Sequence, residues 1–356
     1  MYELEAGIQF HLPTFRHCTL PDLQALGVSA AAAGFSQLWV TDNLQARSLF
    51  VTLAALAARV PLKLGTAIMV PYFHTPVEAA SSLAAITELM QGPELSVGIA
   101  RGNASTPHHV RTLKPISILR ETVRCLKRLL AGDTVQFQDY PTLAANFHLV
   151  PEASFQLHFR PRVPTLLYCG SNGPLGLTVG GQEMDGLIFG GTLGVAARTG
   201  KLAPLLAVAD EAAAAAGRPS LRKVAEVKIS LAANTEEARA FVRAAVGIRV
   251  ASLPQRGYQA DDYAKLGIDQ AAVESLATAY HGDAPGSYLA SLVSEPMIDA
   301  VFIAGDPRSC RGQIEDICRL ARAHGFQQLM FSGLGPNPQE AIRLLSEGVL
   351  PVMAQP

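Results

Sequence analysis

At 356 residues the chain has room for one large core or for two domains of ordinary size. Twenty-nine basic side chains against 30 acidic ones leave a net charge of −1, which removes the electrostatic case for nucleic acid or an anionic membrane as partner. Apolar residues make up 49% and charged residues 17%, the balance of a globular, enzyme-like chain and not of a disordered one. The opening Met1–Glu5 is acidic and too poor in apolar residues for a signal peptide, and no apolar run reaches membrane-spanning length. The five cysteines are odd in number, widely spaced and without a Cys-x-x-Cys pair. Reduced thiols in a cytoplasmic protein are the expectation, and neither disulfides nor zinc.

In chain order, Glu5–Leu12 reads as a first strand and Leu20–Ala33 as a helix that Gly34 closes. Gln37–Thr41 is a second strand, Ser48–Arg59 a helix, and Lys63–Val70 a third strand ending at Pro71. A helix starts at Thr75-Pro76, where the missing proline N–H costs little, and runs to Met90. The fourth strand is the alternating run within Glu94–Gly102, which ends abruptly in Arg101-Gly102. Pro115–Ala131 is helical, and Gly132–Val150 reads as a turn and a β-hairpin outside the repeating pattern. Strands then follow at Pro164–Cys169, Gly186–Phe189, Val224–Leu231 and Gln327–Ser332. Helices are expected from Pro174 to about Met184 and over Val195–Gly217, Glu236–Ala251, Pro307–His324 and Gln339–Glu347. Residues 252–300 break the rhythm with short helical pieces.

Eight short buried strands alternating with helices predict a (β/α)₈ barrel, one α/β domain over residues 1–356. A hairpin insertion is expected near 132–163 and a helical insertion near 252–300. A doubly wound open sheet is the rival, but it usually carries a Gly-x-Gly-x-x-Gly turn after the first strand. Here that strand runs into His11-Leu12-Pro13-Thr14.

Barrel active sites lie at the carboxyl ends of the strands. That rule picks out Gln9 and His11, then Asp42 and Asn43, the segment Ala67–Val70, and Arg101, Gly102 and Asn103. Gly170, Ser171, Asn172 and Gly173 follow from the fifth strand, and Gly190-Gly191 from the sixth. Arg101 offers a forked, permanently charged donor suited to phosphate or carboxylate, and Gly102 lets backbone approach a ligand. An Arg that merely ends a strand in a salt bridge is the alternative. The Gly-Ser-Asn-Gly turn opens a helix near Pro174, leaving backbone N–H groups and a hydroxyl at a helix amino end. That combination is an anion site, or else an ordinary glycine turn with a cap. The nine histidines show no metal spacing, and His74 reads equally as a mouth residue or a packing one.

Several stretches resemble the luciferase-like flavin and deazaflavin oxidoreductases, and most of all the coenzyme F420-dependent methylene-tetrahydromethanopterin reductases of methanogens. They are Leu38–Asp42, Val51–Ala57, Leu64–Tyr72, His74–Val77, Leu129–Gly132, Gly170–Pro174, Gly181–Gly186, Phe302–Pro307 and Gly333–Pro336. The resemblance implies a bacterial luciferase-like barrel with coenzyme F420, or alternatively FMN, at the strand ends. It implies hydride transfer to a small organic substrate, of which a tetrahydropterin-linked one-carbon unit is the family's example. It also implies a non-prolyl cis peptide between Ala67 and Ile68 and a homodimer or higher homo-oligomer. On this resemblance Gln9 and Asp42 are the catalytic candidates. Asn43, Ala67, Ile68, Arg101, Gly102, Asn103, Gly170, Ser171, Asn172 and Gly173 are the cofactor-binding ones, and no metal is expected. Three positions depart from the family: Gln9 replaces its strand-one acid, Asn43 a histidine, and Ala100-Arg101-Gly102 a Gly-Pro-Gly. The alternative functions are an FMN-dependent monooxygenase and a non-catalytic flavin- or pterin-binding protein.

Overall fold

The computed structural model describes residues 4–102 and 106–355. The fold is a (β/α)₈ barrel built on a parallel sheet. The strands are β1 (Glu5–Phe10), β2 (Gln37–Val40), β3 (Lys63–Met69), β4 (Leu95–Ile99), β5 (Thr165–Cys169), β6 (Gly186–Phe189), β7 (Arg222–Leu231), β8 (Ile303–Gly305) and β9 (Gln328–Leu334). Every position of β2, β4 and β6 is buried, the pattern of strands covered on both faces.

Two compact units make up the chain. In the unit of residues 7–188 and 205–223, neighbouring strands run in sequence order from β1 to β6. The β3–β4 register shifts between Thr66 and Met69, where the peptide bond Ala67–Ile68 is cis. Helices cap themselves as their sequences dictate. Thr19 accepts the Asp22 N–H while Asp22 reaches back to the Thr19 N–H, and Thr75 accepts from the Glu78 N–H ahead of helix Pro76–Leu89.

The expected hairpin after Gly132 is reduced to a two-residue antiparallel ladder, Val135–Gln136 with Ser154–Phe155. Between its arms lie a 3₁₀ turn and the helix Pro141–Phe147, which Pro141 starts and His148 ends in the left-handed region. The single long helix expected over Val195–Gly217 is two, Leu193–Arg198 and Leu202–Ala215. Thr199 and Gly200 interrupt it, because Gly200 takes φ +76° and turns the chain out of the helix.

In the unit of residues 1–6, 189–204 and 224–356, β7 pairs with both β8 and β9. Strand β8 was not expected; it has three residues, too few for periodicity to register. Residues 252–300 do form short helices: Ala260–Leu266, Gln270–His281, Gly286–Ser291 and Glu295–Val301. They bury Tyr263, Leu276, Leu289 and Met297 against Val242, Val246 and Val250 of helix Thr235–Ala251.

Asp306 follows β8 and caps helix Pro307–Ala323, accepting the N–H groups of Arg308 and Ser309 at 2.9 and 3.1 Å. It also accepts the Thr235 hydroxyl at 2.6 Å, and these hydrogen bonds, that of Thr235 foremost, lower its carboxyl to about 2. Asp306→Ala should cost about 1–2 kcal/mol, the usual value of a lost N-cap. The folded carboxyl titrates below its ordinary value of 3.8, so its contribution is present above that pH and lost toward pH 2. Urea midpoints of the two proteins at neutral pH and near pH 2 check both parts: the gap should close at the acid end.

No helix among the described residues is long and apolar enough to cross a membrane.

Candidate active site

Gln9 lies near the carboxyl end of β1 with 3% of its surface exposed. Its Nε2 donates to the Ala67 carbonyl at 2.9 Å, which fixes the amide: turned over, it would set oxygen against oxygen. The other end, Oε1, is buried and accepts no hydrogen bond from the described residues. A buried acceptor left open costs on the order of 1–3 kcal/mol and awaits a donor. The amide copies the hydrogen-bonding pattern of a protonated carboxylic acid, one donor and one acceptor, without a proton to give.

Asp42, just past β2, is pinned to the same part of β3. Its N–H donates to the Ile68 carbonyl at 3.2 Å, and its Oδ2 accepts the Val70 N–H at 2.9 Å. The same oxygen meets His74 Nε2 at 2.9 Å, and His74 Nδ1 lies 3.5 Å from Glu78. Exposure rises along this line from 5% at Asp42 through 15% at His74 to 50% at Glu78, so an acid–imidazole–acid chain leads from the interior outward. Phe50 packs against the imidazole, with ring centres 4.6 Å apart. The sequence could not link His74 to Asp42, because the two are 32 residues apart. Asn43 commits its side-chain oxygen to its own turn, accepting the Gln45 N–H at 2.8 Å.

Ala67 and Ile68 flank the cis bond, and Ile68 packs on glycines of the neighbouring β4 and β5 ends. A Cβ at Gly170 would come within 2.4 Å of Ile68 Cγ2, so only glycine fits there.

Strands β4 and β5 pair from Leu95↔Thr165 to Ile99↔Cys169, so the loops carrying Arg101 and Ser171 leave adjacent strand ends. Arg101 is exposed and forms no ion pair among the described residues, which removes the plain salt-bridge reading. Gly102 takes φ +99°, and a Cβ there would lie 2.2 Å from the Thr106 hydroxyl oxygen. Burial pushes the nearby Tyr72 hydroxyl up to about 12 against the lowering charge of Arg101. Asn103 lies outside the described residues. In the second loop the Ser171 hydroxyl accepts the Gly173 N–H at 3.4 Å. Gly176 makes room for it, since a Cβ would meet Ser171 Oγ at 2.0 Å. Helix Pro174–Glu183 begins at Gly173 without a side-chain cap, and Pro174 brings no N–H of its own.

The other unit holds a charged pair that was not expected. Glu226 and Lys228 share one face of β7 and meet at 2.5 Å, each 11% exposed. Two charges at i and i+2 among Val224, Ala225, Val227 and Ile229 were the available signal. Among the described residues no cluster of three or more His, Cys, Asp or Glu side chains could hold a metal ion.

Comparison with known proteins agrees with the architecture. Over 332 residues the chain is 24% identical to 5,10-methylenetetrahydromethanopterin reductase of Methanolobus tindarius, covering 90% of this chain and 93% of that one. The enzyme of the same name from Archaeoglobus fulgidus is 26% identical over 357 residues, with 98% and 99% covered. Among solved structures, the coenzyme F420-dependent tetrahydromethanopterin reductase of Methanopyrus kandleri superposes with a TM-score of 0.79. That match has 22% identity and covers 98% of this chain and 99% of that one, a likeness of fold. The family model for luciferase-like monooxygenases matches residues 9–324, and the chain therefore belongs to that family of oxidoreductases.

Proposed function

We propose that the chain binds coenzyme F420 and transfers hydride to a small organic substrate. The observation that carries this reading is the buried Gln9 Oε1, an acceptor with no partner among the described residues. It fits an N–H of a planar heterocycle laid over the strand ends. Arg101 and the Ser171–Gly173 turn, on adjacent strand ends, fit the cofactor's phosphate. Gly170 and Ile68 provide a close-packed floor. When bound, the deazaflavin supplies the hydride. The chain's own residues do the rest. Gln9 orients a ring N–H, and Asp42, backed by His74 and Glu78, holds or delivers a proton within the site. Because Gln9 cannot ionise, Asp42 takes the acid–base work that a carboxyl on β1 would share. A tetrahydropterin-linked one-carbon unit is the substrate we favour, since the reductases named above act on methylenetetrahydromethanopterin.

An FMN-dependent monooxygenase is the second reading, favoured by one feature: the exposed Arg101, without an ion-pair partner among the described residues, suits the terminal phosphate of a flavin equally well. Titrating the purified protein with coenzyme F420 and with FMN, following each cofactor's absorption spectrum, separates the two. Loss of the oxidised deazaflavin's visible band on adding a reduced one-carbon pterin, under anaerobic conditions, supports the reductase. Oxygen uptake with reduced FMN and no deazaflavin binding would overturn it. Arg101→Ala should weaken cofactor binding by about 1.5–3 kcal/mol, the size of a charged hydrogen bond. An unchanged dissociation constant removes Arg101 from the site.

A further inference from the structure

Strand β7 carries a second polar constellation, built entirely within the unit of residues 1–6, 189–204 and 224–356. Glu226 accepts from three donors. Its Oε1 takes Lys228 Nζ at 2.5 Å and the Ser332 hydroxyl at 2.9 Å, and its Oε2 takes the Gly191 N–H at 2.6 Å. Ser332 stands opposite Lys228 in the β7–β9 ladder, so all three side chains meet on one face. Lys228 is in the opposite condition. Its ammonium has three N–H donors, and among the described residues Glu226 is its only hydrogen-bonding partner. Gly191 packs closely on the pair, because a Cβ there would lie 2.8 Å from Lys228 Cε and 3.3 Å from Glu226 Oε2.

Arg249 acts on both Glu226 and Lys228, and Arg256 acts on Lys228, so positive charge reaches the pair from outside it. The carboxylate holds the lysine in place, while the lysine keeps donors in hand beside further positive charge. Burial pushes the Glu226 carboxyl up, yet Lys228, Arg249 and the Gly191 N–H outweigh it and hold the group at about 2. Glu226 thus stays an anion at any working pH.

We propose that Lys228, braced by Glu226, Ser332 and the Gly191 backbone, is the recognition point for an anionic oxygen of a small-molecule ligand, a carboxylate or a phosphate. The ligand's oxygen accepts the two remaining ammonium N–H groups, and Arg249 and Arg256 add long-range attraction. Specificity follows from the bracing: a neutral analogue leaves a buried ammonium with unmet donors. This inference does not depend on the hydride-transfer reading, because none of its residues is one assigned there to the cofactor or to proton transfer.

The test uses the full chain and two probes, inorganic phosphate and malonate, titrated calorimetrically. Arg101→Ala serves as the background, so that the candidate cofactor-phosphate site is weakened. One site for at least one probe should remain in that background, and Lys228→Gln added to it should weaken it at least about tenfold. Phosphate bound and malonate not assigns a phosphate ester; the reverse assigns a carboxylate. Should Lys228→Gln fail to fold, Glu226→Gln with Lys228→Met removes both charges together and takes its place. The proposal is overturned if the Arg101→Ala protein binds neither probe. It is equally overturned if the site persists with unchanged affinity once Lys228 is replaced.

Discussion

Replacing Glu226 with alanine will destabilise the fold by about 3–5 kcal/mol, the range for breaking a buried ion pair by removing one partner. The loss strands three donors at once: Lys228 Nζ, the Ser332 hydroxyl and the Gly191 N–H. Lys228 suffers most, since burial already lowers its pKa and Glu226 is the group that opposes this, with Arg249 and Arg256 pushing the same way as burial. Without the carboxylate, the lysine keeps its charge at high cost or folds neutral. Replacing both as Glu226→Gln with Lys228→Met should therefore cost less than the single change, because no uncompensated charge is left behind. The acid dependence has a definite sign. A carboxyl near 2 in the folded chain and near 4.5 unfolded contributes stability above about pH 4.5, lost as pH falls toward 2. Urea denaturation of the native chain and of Glu226→Ala should show a wide gap at about pH 7 that narrows steadily below about pH 4.5. A gap of equal width at neutral pH and near pH 2 would mean that the pair adds nothing through its charge.

The barrel was legible because its signal is repetitive. Most of the expected strands lie within a residue or two of where alternation and flanking turns put them, and helix Pro115–Ala131 and strand β6 have the expected bounds. What stayed hidden was short or long-range. Strand β8 is three residues, and the break at Gly200 sits beside an Ala-rich run whose helical pattern continues on both sides. The candidate site divides the same way. Gln9, Asp42, Arg101 and Ser171 are candidates because a barrel rule points to strand ends, a local property of sequence. The contact of His74 with Asp42, and the orientation of the Gln9 amide toward Ala67, join residues 32 and 58 apart. No spacing rule reaches across a strand–helix repeat to such pairs. Glu226 and Lys228 stay hidden for a different reason: a charged pair in a strand reads as a solvated edge until its burial is known.

Gln9→Glu should convert the most buried polar group of the candidate site into a pH switch. The new carboxyl would stand where Nε2 now donates to the Ala67 carbonyl at 2.9 Å, so one of its oxygens must carry a proton to keep that contact. Ionised, it would set a negative charge against a carbonyl oxygen in a place only 3% exposed. Desolvation and this dipole both favour the neutral acid, and fully buried glutamates titrate as high as about 8–9 against about 4.3 in water. The folded pKa then lies above the unfolded one, so the variant matches the native chain below about pH 4 and loses stability as pH rises. Each tenfold change in acidity is worth about 1.4 kcal/mol, which sets the expected deficit at neutral pH at about 3 kcal/mol or more. The native amide does not titrate, so urea midpoints of the two proteins at about pH 4.5 and about pH 8 isolate the effect. Catalysis should respond in the same direction. A protonated glutamic acid at this position reproduces the donor to Ala67 and the open acceptor, and in addition it has a proton to transfer. Turnover of the variant should therefore fall on the alkaline side of its carboxyl pKa, along a limb absent from the native profile. If the variant is equally stable at both pH values and its pH profile is unaltered, the side chain at this position does not face the reacting ligand, and the acid–base work rests with Asp42 and His74 alone.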